Sequence, residues 1–464
     1  MQVFALFLRR NVRPAVLTVL AAAIFLSAQA FGLRPAAAEI GSWLVFDLKS
    51  GRVLSQSGAY RPWYPASLTK LMTAYVTFSA IRAGRLKLTS PVVVSQNARN
   101  EPPSKMGFPV GTVMTIDAAL KMVIVKSAND IAVALGEAVA GGEKAFVGQM
   151  NKAAREIGMR QTRWANPNGL PDNSMVTSAR DLALLSRALL TKFPEYRGYY
   201  RIQAIQHGKR TLRSYNPLLG RIKGVNGMKT GYICNSGYNL IASATRGGRT
   251  IVAVILGARS GLERAVVAKH LVEGGFKSSS GFFSSSGRHT INNLPRPGAI
   301  GKLPPDRYCR KVTKPTFEEL AARYGTVRGK PQVVLAGVSN PNGLNSGRII
   351  IDQGATRAKK RKKNKKKKPR RDVMALLIGP DLYRTGTIRV HLGLPDGAPG
   401  PKPRVTDTGN TYVAGHLLPR PNPLRGGRSV AAAKALIDGA KAGPPSARLA
   451  GRPFPRIRPA TDVR

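Results

Sequence analysis

The chain has 464 residues, two cysteines, 43% hydrophobic residues, and 74 Lys and Arg against 23 Asp and Glu, a formal net charge of +51. That length exceeds a single compact domain, and two cysteines exclude both a disulfide framework and a cysteine-rich zinc site. The charge points to polyanionic partners and is carried throughout: residues 276–464 hold 38 basic and 10 acidic side chains, and the first 275 hold 36 and 13.

Arg9, Arg10 and Arg13 precede an apolar run from Ala15 to about Ala30, and Ala36-Ala37-Ala38 follow. This is the layout of a secretory signal over residues 1–38, with Glu39 as the first mature residue. The run is short for a membrane-spanning helix, and an uncleaved anchor is the lesser alternative. Export across the inner membrane, to the periplasm or cell envelope, is expected. That removes most nucleic acid from reach, so no nucleic-acid partner is expected.

Ser42–Leu48 reads as a strand, Lys49-Ser-Gly-Arg52 as a tight turn and Val53 onward as the returning strand. Leu68, Leu71, Met72, Tyr75 and Val76 then recur at the helical period. Helical patterns continue at Thr115–Lys126, Asn129–Ala140, Glu143–Ile157 and Thr177–Leu190, the last with Thr177 and Ser178 as its cap ahead of Asp181. Gly224–Ile233, Tyr238–Thr245 and Thr250–Leu256 are β-prone, with Gly247-Gly248 as a hairpin turn, and Leu262–Glu273 is a closing helix. Two strands, a helical middle, three strands and a helix predict an α+β fold. Its first and last segments meet in one five-stranded antiparallel sheet flanked by helices, over residues 39–276.

After Phe276 the texture changes. Ser278–Gly287 is a Ser/Gly tract, and Pro and Gly stay frequent to the end. Val333–Val338, Val373–Ile378 and Thr387–Leu392 are candidate strands of one small β module. Arg357–Arg371 holds twelve basic residues in fifteen, a run that cannot pack. Residues 277–464 are therefore expected to be largely disordered. Their basic run is either a ligand for anionic envelope polymers or lipids, or a solvated linker. Cys234 and Cys309 are far apart in sequence; a single disulfide stays open, and Cys234 reads chiefly as an incidental small residue.

Three short motifs carry chemistry. In Ser67-Leu-Thr-Lys70 a nucleophile and an amine sit one helical turn apart. Ser127-Ala-Asn129 and Lys229-Thr-Gly231 follow, in that order. Each alone is weak; together they form the triplet associated with penicillin-binding proteins and class A β-lactamases. Pro65–Ala74, Ser127–Leu135, Asn166-Pro-Asn-Gly-Leu-Pro-Asp172 and Thr177–Ala183 resemble the low-molecular-weight penicillin-binding proteins that act as D-alanyl-D-alanine carboxypeptidases. The resemblance covers roughly Ile40 to Phe276.

It implies a β-lactamase/transpeptidase-like fold with a helical subdomain, no cofactor and no metal, stem peptides of peptidoglycan as substrate, and β-lactams as inhibitors. Ser67 becomes nucleophilic only when its proton is taken, and Lys70 can take it only when neutral. Lys229, as a second cation, lowers the Lys70 pKa; Ser127 bridges the lysines, and Asn129 holds a substrate carbonyl. The resemblance places the oxyanion between the backbone N–H groups of Ser67 and Tyr232. Thr230 and Arg264 would bind the substrate carboxylate, and an extended peptide could pair along 229–232, where Gly231 leaves room. Between Glu156 and Glu195 there is no Glu, and Arg163–Leu170 holds no acid, which argues against fast β-lactam hydrolysis. A DD-endopeptidase using the same residues is one alternative. An envelope-binding protein acting through its basic tail is another.

Overall fold

The computed structural model describes residues 40–278, 289–327, 372–381, 386–395, 404–405 and 411–412. Strands β1 (Ser42–Asp47) and β2 (Val53–Ser57) form the expected hairpin. Helix α1 (Lys70–Arg82) follows a 3₁₀ turn at Ala66–Thr69. A small ladder pairs β3 (Pro91–Val93) with β4 (Val113–Thr115), enclosing α2 (Gln96–Asn100). Helices α3 (Ile116–Lys121), α4 (Asn129–Ala140), α5 (Glu143–Glu156), α6 (Ala179–Lys192) and the short α7 (Gly198–Arg201) fill the middle.

A second ladder pairs β5 (Ala204–His207) with β6 (Arg210–Arg213). Strands β7 (Val225–Ile233), β8 (Gly237–Arg246) and β9 (Arg249–Ala258) lead into α8 (Gly261–Lys277). The main sheet has the order β2-β1-β9-β8-β7, antiparallel throughout, with Val45 opposite Ala253. The first and last strands of the sheet, β1 and β9, thus meet as expected, and β7 is left as an edge.

Both faces of this sheet are covered, which is why Ile251–Leu256 is an unbroken apolar run rather than an alternating one. Leu44, Phe46, Ile241, Val252, Val254 and Leu256 face the helical body. Val45, Leu240, Ala242, Ile251, Ala253 and Ile255 lie under α8 with Val266 and Val272. Helix α1 is buried nearly all round, through Leu71, Met72, Ala74, Tyr75, Val76 and Phe78, as befits a helix at the centre of a domain.

Several expectations change. The single helix expected over Thr115–Lys126 is split: Thr115 Oγ1 caps α3 by accepting from Ala118 N–H, and Met122–Lys126 widens to a π turn. Val373–Ile378 is not a strand but a helix, α11, capped by Asp372, whose Oδ1 accepts from Ala375 N–H at 3.0 Å. An unbroken apolar hexamer is ambiguous between the two states, and here the capping carboxylate decides. Of Thr387–Leu392 only Ile388–Arg389 (β10) pairs, parallel to β5. The two small ladders are not among the predicted strands, each of their strands being only three or four residues long. Val333–Val338, Arg357–Arg371 and the Ser/Gly tract beyond Ser278 lie outside the described residues.

Packing continues past Phe276. Val53 N–H donates to His289 O and Ile291 N–H to Gly51 O, each at 2.9 Å. Two further helices follow Gly287: α9 (Tyr308–Lys311) and α10 (Phe317–Tyr324). Leu320 of α10 and Leu377 and Ile378 of α11 are buried in the cluster that holds Val266 and Val272 of α8. Cys234 is not incidental: it is disulfide-bonded to Cys309.

Gly257 has φ +81°, and a Cβ there would lie 2.3 Å from Trp63 Cζ2. Gly257→Ala is therefore expected to destabilise the fold by at least about 1–3 kcal/mol. The check is a urea unfolding curve with a lower midpoint and an unchanged slope.

Candidate active site

The 3₁₀ turn at Ala66–Thr69 eclipses positions three apart, so Ser67 and Lys70 are stacked on one side. The turn is forced. Ala66 has φ +49°, and Gly169, at φ +84°, packs so close that a Cβ would come within 1.9 Å of Ala66 O. Lys70 is completely buried. Its Nζ lies 3.1 Å from Ser67 Oγ, 2.7 Å from Asn129 Oδ1 and 2.6 Å from Asn168 O. A neutral amine has two N–H groups and one lone pair. The two N–H groups fit Asn129 and Asn168, which leaves the lone pair for the Ser67 hydroxyl.

Ser127 ends the π turn in the left-handed region, at φ 59° and ψ 36°. That conformation is costly for serine, and it stands beside the second lysine. Lys229, on β7, donates to Ser127 Oγ and to Thr230 O, each at 2.9 Å, and is 2% exposed. Asn129, first residue of α4, also donates to Pro102 O at 2.9 Å. β7 presses directly on the Ser67 turn. A Cβ on Gly231 would lie 3.0 Å from Pro65 O and 3.1 Å from Ser67 N, so a larger residue would force β7 and the Ser67 turn apart by a few tenths of an ångström.

Electrostatics follow from this burial. Lys70 is driven well below the ordinary lysine range, first by loss of water and next by Lys229, against a weaker upward pull from Glu101 and Asp130. Lys229 is lowered to about 7 by burial and by Arg264. Arg264, on α8, is itself lowered to about 10 by burial. Its guanidinium makes only long contacts, 3.4 Å to Asn239 O and 3.5 Å to Tyr215 O, and Nε has no partner among the described residues. Thr230 is buried beside Lys229, whereas the Tyr232 side chain is 46% exposed with its ring 4.4 Å from that of Tyr238.

An amine poised on a serine, a second amine bonded to another serine and an under-bonded guanidinium can together perform acyl transfer on a carboxylate-bearing substrate. The D-alanyl-D-alanine carboxypeptidase family profile matches residues 29–260. The chain belongs to this family. It is 35% identical over 243 residues to D-alanyl-D-alanine carboxypeptidase DacC of Escherichia coli, covering 51% of this chain and 61% of that protein. It is 34% identical to DacD of Salmonella typhimurium, covering 55% and 67%. Among solved structures, penicillin binding protein 5 from Haemophilus influenzae aligns with a TM-score of 0.50 and 34% identity, over 53% of this chain and 73% of that one. Penicillin binding protein 6B from Escherichia coli gives 0.50 and 34%, over 53% and 80%. These agree with the expected sheet and helical subdomain.

The motifs noted in the sequence converge: Lys70 Nζ joins Ser67 and Asn129, Ser127 Oγ accepts from Lys229 rather than bridging both lysines, and Thr230, Gly231 and Arg264 adjoin them. Three participants were missed. Asn168 lends its carbonyl to Lys70, and backbone atoms leave no trace in residue type. Asn239 donates to Tyr64 O at 3.0 Å and accepts from Gly257 N–H at 3.0 Å, tying the Ser67 arm to the sheet. Glu101 accepts from Asn168 Nδ2 at 2.9 Å, and burial raises its pKa. Glu101 lies outside the stretch between Glu156 and Glu195 and reaches the site from another loop.

A lysine whose folded pKa is depressed binds fewer protons than in the unfolded chain, so stability rises with pH from its folded to its unfolded value. Unfolding free energy measured in urea is expected to increase between pH 7 and 9. In Lys229→Met the increase should be smaller.

Proposed function

We propose that the protein is a serine-type D-Ala-D-Ala carboxypeptidase that removes the terminal D-alanine from peptidoglycan stem peptides through an acyl-Ser67 intermediate. The observation that carries this is the Lys70 amine, buried, 3.1 Å from Ser67 Oγ, and held by two neutral acceptors. The matched region spans 61% of the Escherichia coli relative, whose printed name carries the activity.

In this reading Lys70 takes the Ser67 proton as Oγ attacks the carbonyl between the last two D-alanines. The oxyanion lies between the N–H groups of Ser67 and Tyr232, and losing one such donor costs roughly a hundredfold or more. Ser127, linked to Lys229, delivers a proton to the departing amine. Asn129 orients the substrate carbonyl with its remaining amide N–H. Thr230 and the long-bonded Arg264 receive the terminal carboxylate. The peptide adds to the free edge of β7, where its backbone finds partners and Gly231 gives room. Water then releases the acyl group.

β-Lactams would acylate Ser67 and be released slowly, since no acid lies in Arg163–Leu170 and Glu101, which reaches that segment, is bonded to the Asn168 amide. The Arg-led apolar segment within residues 1–38 supports export to the periplasm or envelope, with roles in cell-wall organisation and cell shape. No helix among the described residues is long and apolar enough to cross a membrane.

The test is labelling of the mature protein with fluorescent penicillin, alongside D-alanine release from a pentapeptide and from a cross-linked dimer. Wild type should be labelled and should prefer the pentapeptide. Ser67→Ala should lose labelling completely, and Lys70→Ala should lose at least about a thousandfold in acylation rate, in line with removal of a nucleophile's base. Labelling that persists in Ser67→Ala would overturn the assignment.

A further inference from the structure

Beyond the family match at 29–260, residues 306–309 return to the site from outside it. Cys309 is bonded to Cys234, at the turn that ends β7. Around that bond, Cys309 N–H donates to Cys234 O at 2.8 Å and Arg307 N–H to Asn235 Oδ1 at 2.9 Å. Asn235 Nδ2 donates to Asp306 Oδ1 at 3.2 Å. The β7–β8 turn is therefore gripped by backbone, side-chain and covalent links at once.

The neighbouring residue reaches the other half of the site. Tyr308 is buried, donates to Gly257 O at 2.8 Å and sets its ring edge-on to Trp63, with centroids 5.6 Å apart. Trp63 begins the arm that runs to Ser67, and its Nε1–H donates to Ser236 O at 2.9 Å. A Cβ on Gly237 would lie 2.8 Å from Tyr308 Cε1, so the turn has no slack against this ring.

We infer that Tyr308 and Cys309 are positioning residues for acyl transfer, fixing the spacing between the Ser67 turn and the Tyr232 end of β7. The inference rests on the proposed acyl-serine reading. Its logic is geometric. The two backbone N–H groups assigned to the oxyanion come from different elements, one on a 3₁₀ turn and one on an edge strand held by a ladder on a single side. An edge strand frays at its end, and Tyr232 is the residue before the last of β7. The segment 306–309 ties that end down through Cys234 and, through Tyr308 and Trp63, joins it to the Ser67 arm. Displacement of a catalytic group by about 1 Å costs on the order of a hundredfold in rate. A clamp on this spacing thus acts on the chemical step, not on encounter with substrate.

The test uses the full chain purified oxidised, then reduced with a phosphine until thiol titration finds two free thiols, alongside Cys309→Ser, Tyr308→Ala and Tyr308→Phe. Penicillin acylation is followed at several concentrations, separating the limiting acylation rate from the concentration that half-saturates it. Reduction, Cys309→Ser and Tyr308→Ala should each lower the limiting rate at least tenfold, leave half-saturation within about threefold and preserve the circular dichroism spectrum. Tyr308→Phe, which keeps the ring against Trp63, should restore most of the rate. An unchanged limiting rate in reduced protein with two titrated thiols would overturn the inference. So would a loss confined to half-saturation or to thermal stability. Absence of acylation in oxidised wild type would instead overturn the acyl-serine reading.

Discussion

The interaction on which the rest depends is the burial of the Lys70 amine among neutral oxygens. Each unit of pKa depression costs about 1.4 kcal/mol of folding or binding energy, so the surroundings must withhold whatever would favour the ammonium. Its partners are an amide oxygen and a backbone carbonyl, which accept, and a hydroxyl that faces the lone pair. Two carboxylates stand near enough to pull the other way, and both are occupied. Asp130 takes N–H bonds from Met106, Gly107 and Ile131, and Glu101 takes the Asn168 amide. An aspartate in place of Asn129 would sit 2.7 Å from the amine and hold its proton. The amide at that position supplies the same reach without the charge.

Holding that arrangement requires backbone geometry that serine and alanine resist. Ala66 and Ser127 both have positive φ, on either side of the two lysines. Neither could persist on a loop free to relax. Ala66 is wedged by Gly169 on one side, while Asn239 ties the preceding residues to the sheet on the other. Ser127 is held between the π turn and the first turn of α4. The sheet contributes rigidity, because β8 and β9 are covered on both faces. It also contributes an opening, because β7 is an edge.

Much of this was legible. The strand–helix–strand pattern predicted the sheet and the meeting of its first and last strands, and the three motifs predicted which side chains would converge. What stayed hidden has physical reasons. Asn168 acts through a carbonyl, and Glu101 comes from a loop that no periodicity marks. Val373–Ile378 carries no alternation, so its state was decided by Asp372 beside it. Cys234 looked incidental because disulfide partners cannot be matched by spacing alone, and Cys309 lies in a segment whose composition resembles a linker. Pro and Gly content does not by itself prevent docking: a few buried anchors such as Tyr308, Leu320 and Ile378 suffice to hold the described parts of such a segment.

The three cations are also a relay. The pKa of Lys229 is lowered to about 7, because burial and Arg264 both oppose its charge. A substrate carboxylate received by Thr230 and Arg264 would reverse that balance, since an anion within a few ångströms favours the ammonium and offsets the guanidinium. Lys229, once charged, is the leading electrostatic influence that lowers Lys70. Arrival of the carboxylate would in this way keep Lys70 more often in the neutral form that can accept the Ser67 proton. A ligand lacking that charge would fill the same groove and leave Lys70 more often protonated. Under the proposed function, preference for a free carboxy-terminus would then rest on the proton balance of the two lysines as well as on contact with Arg264.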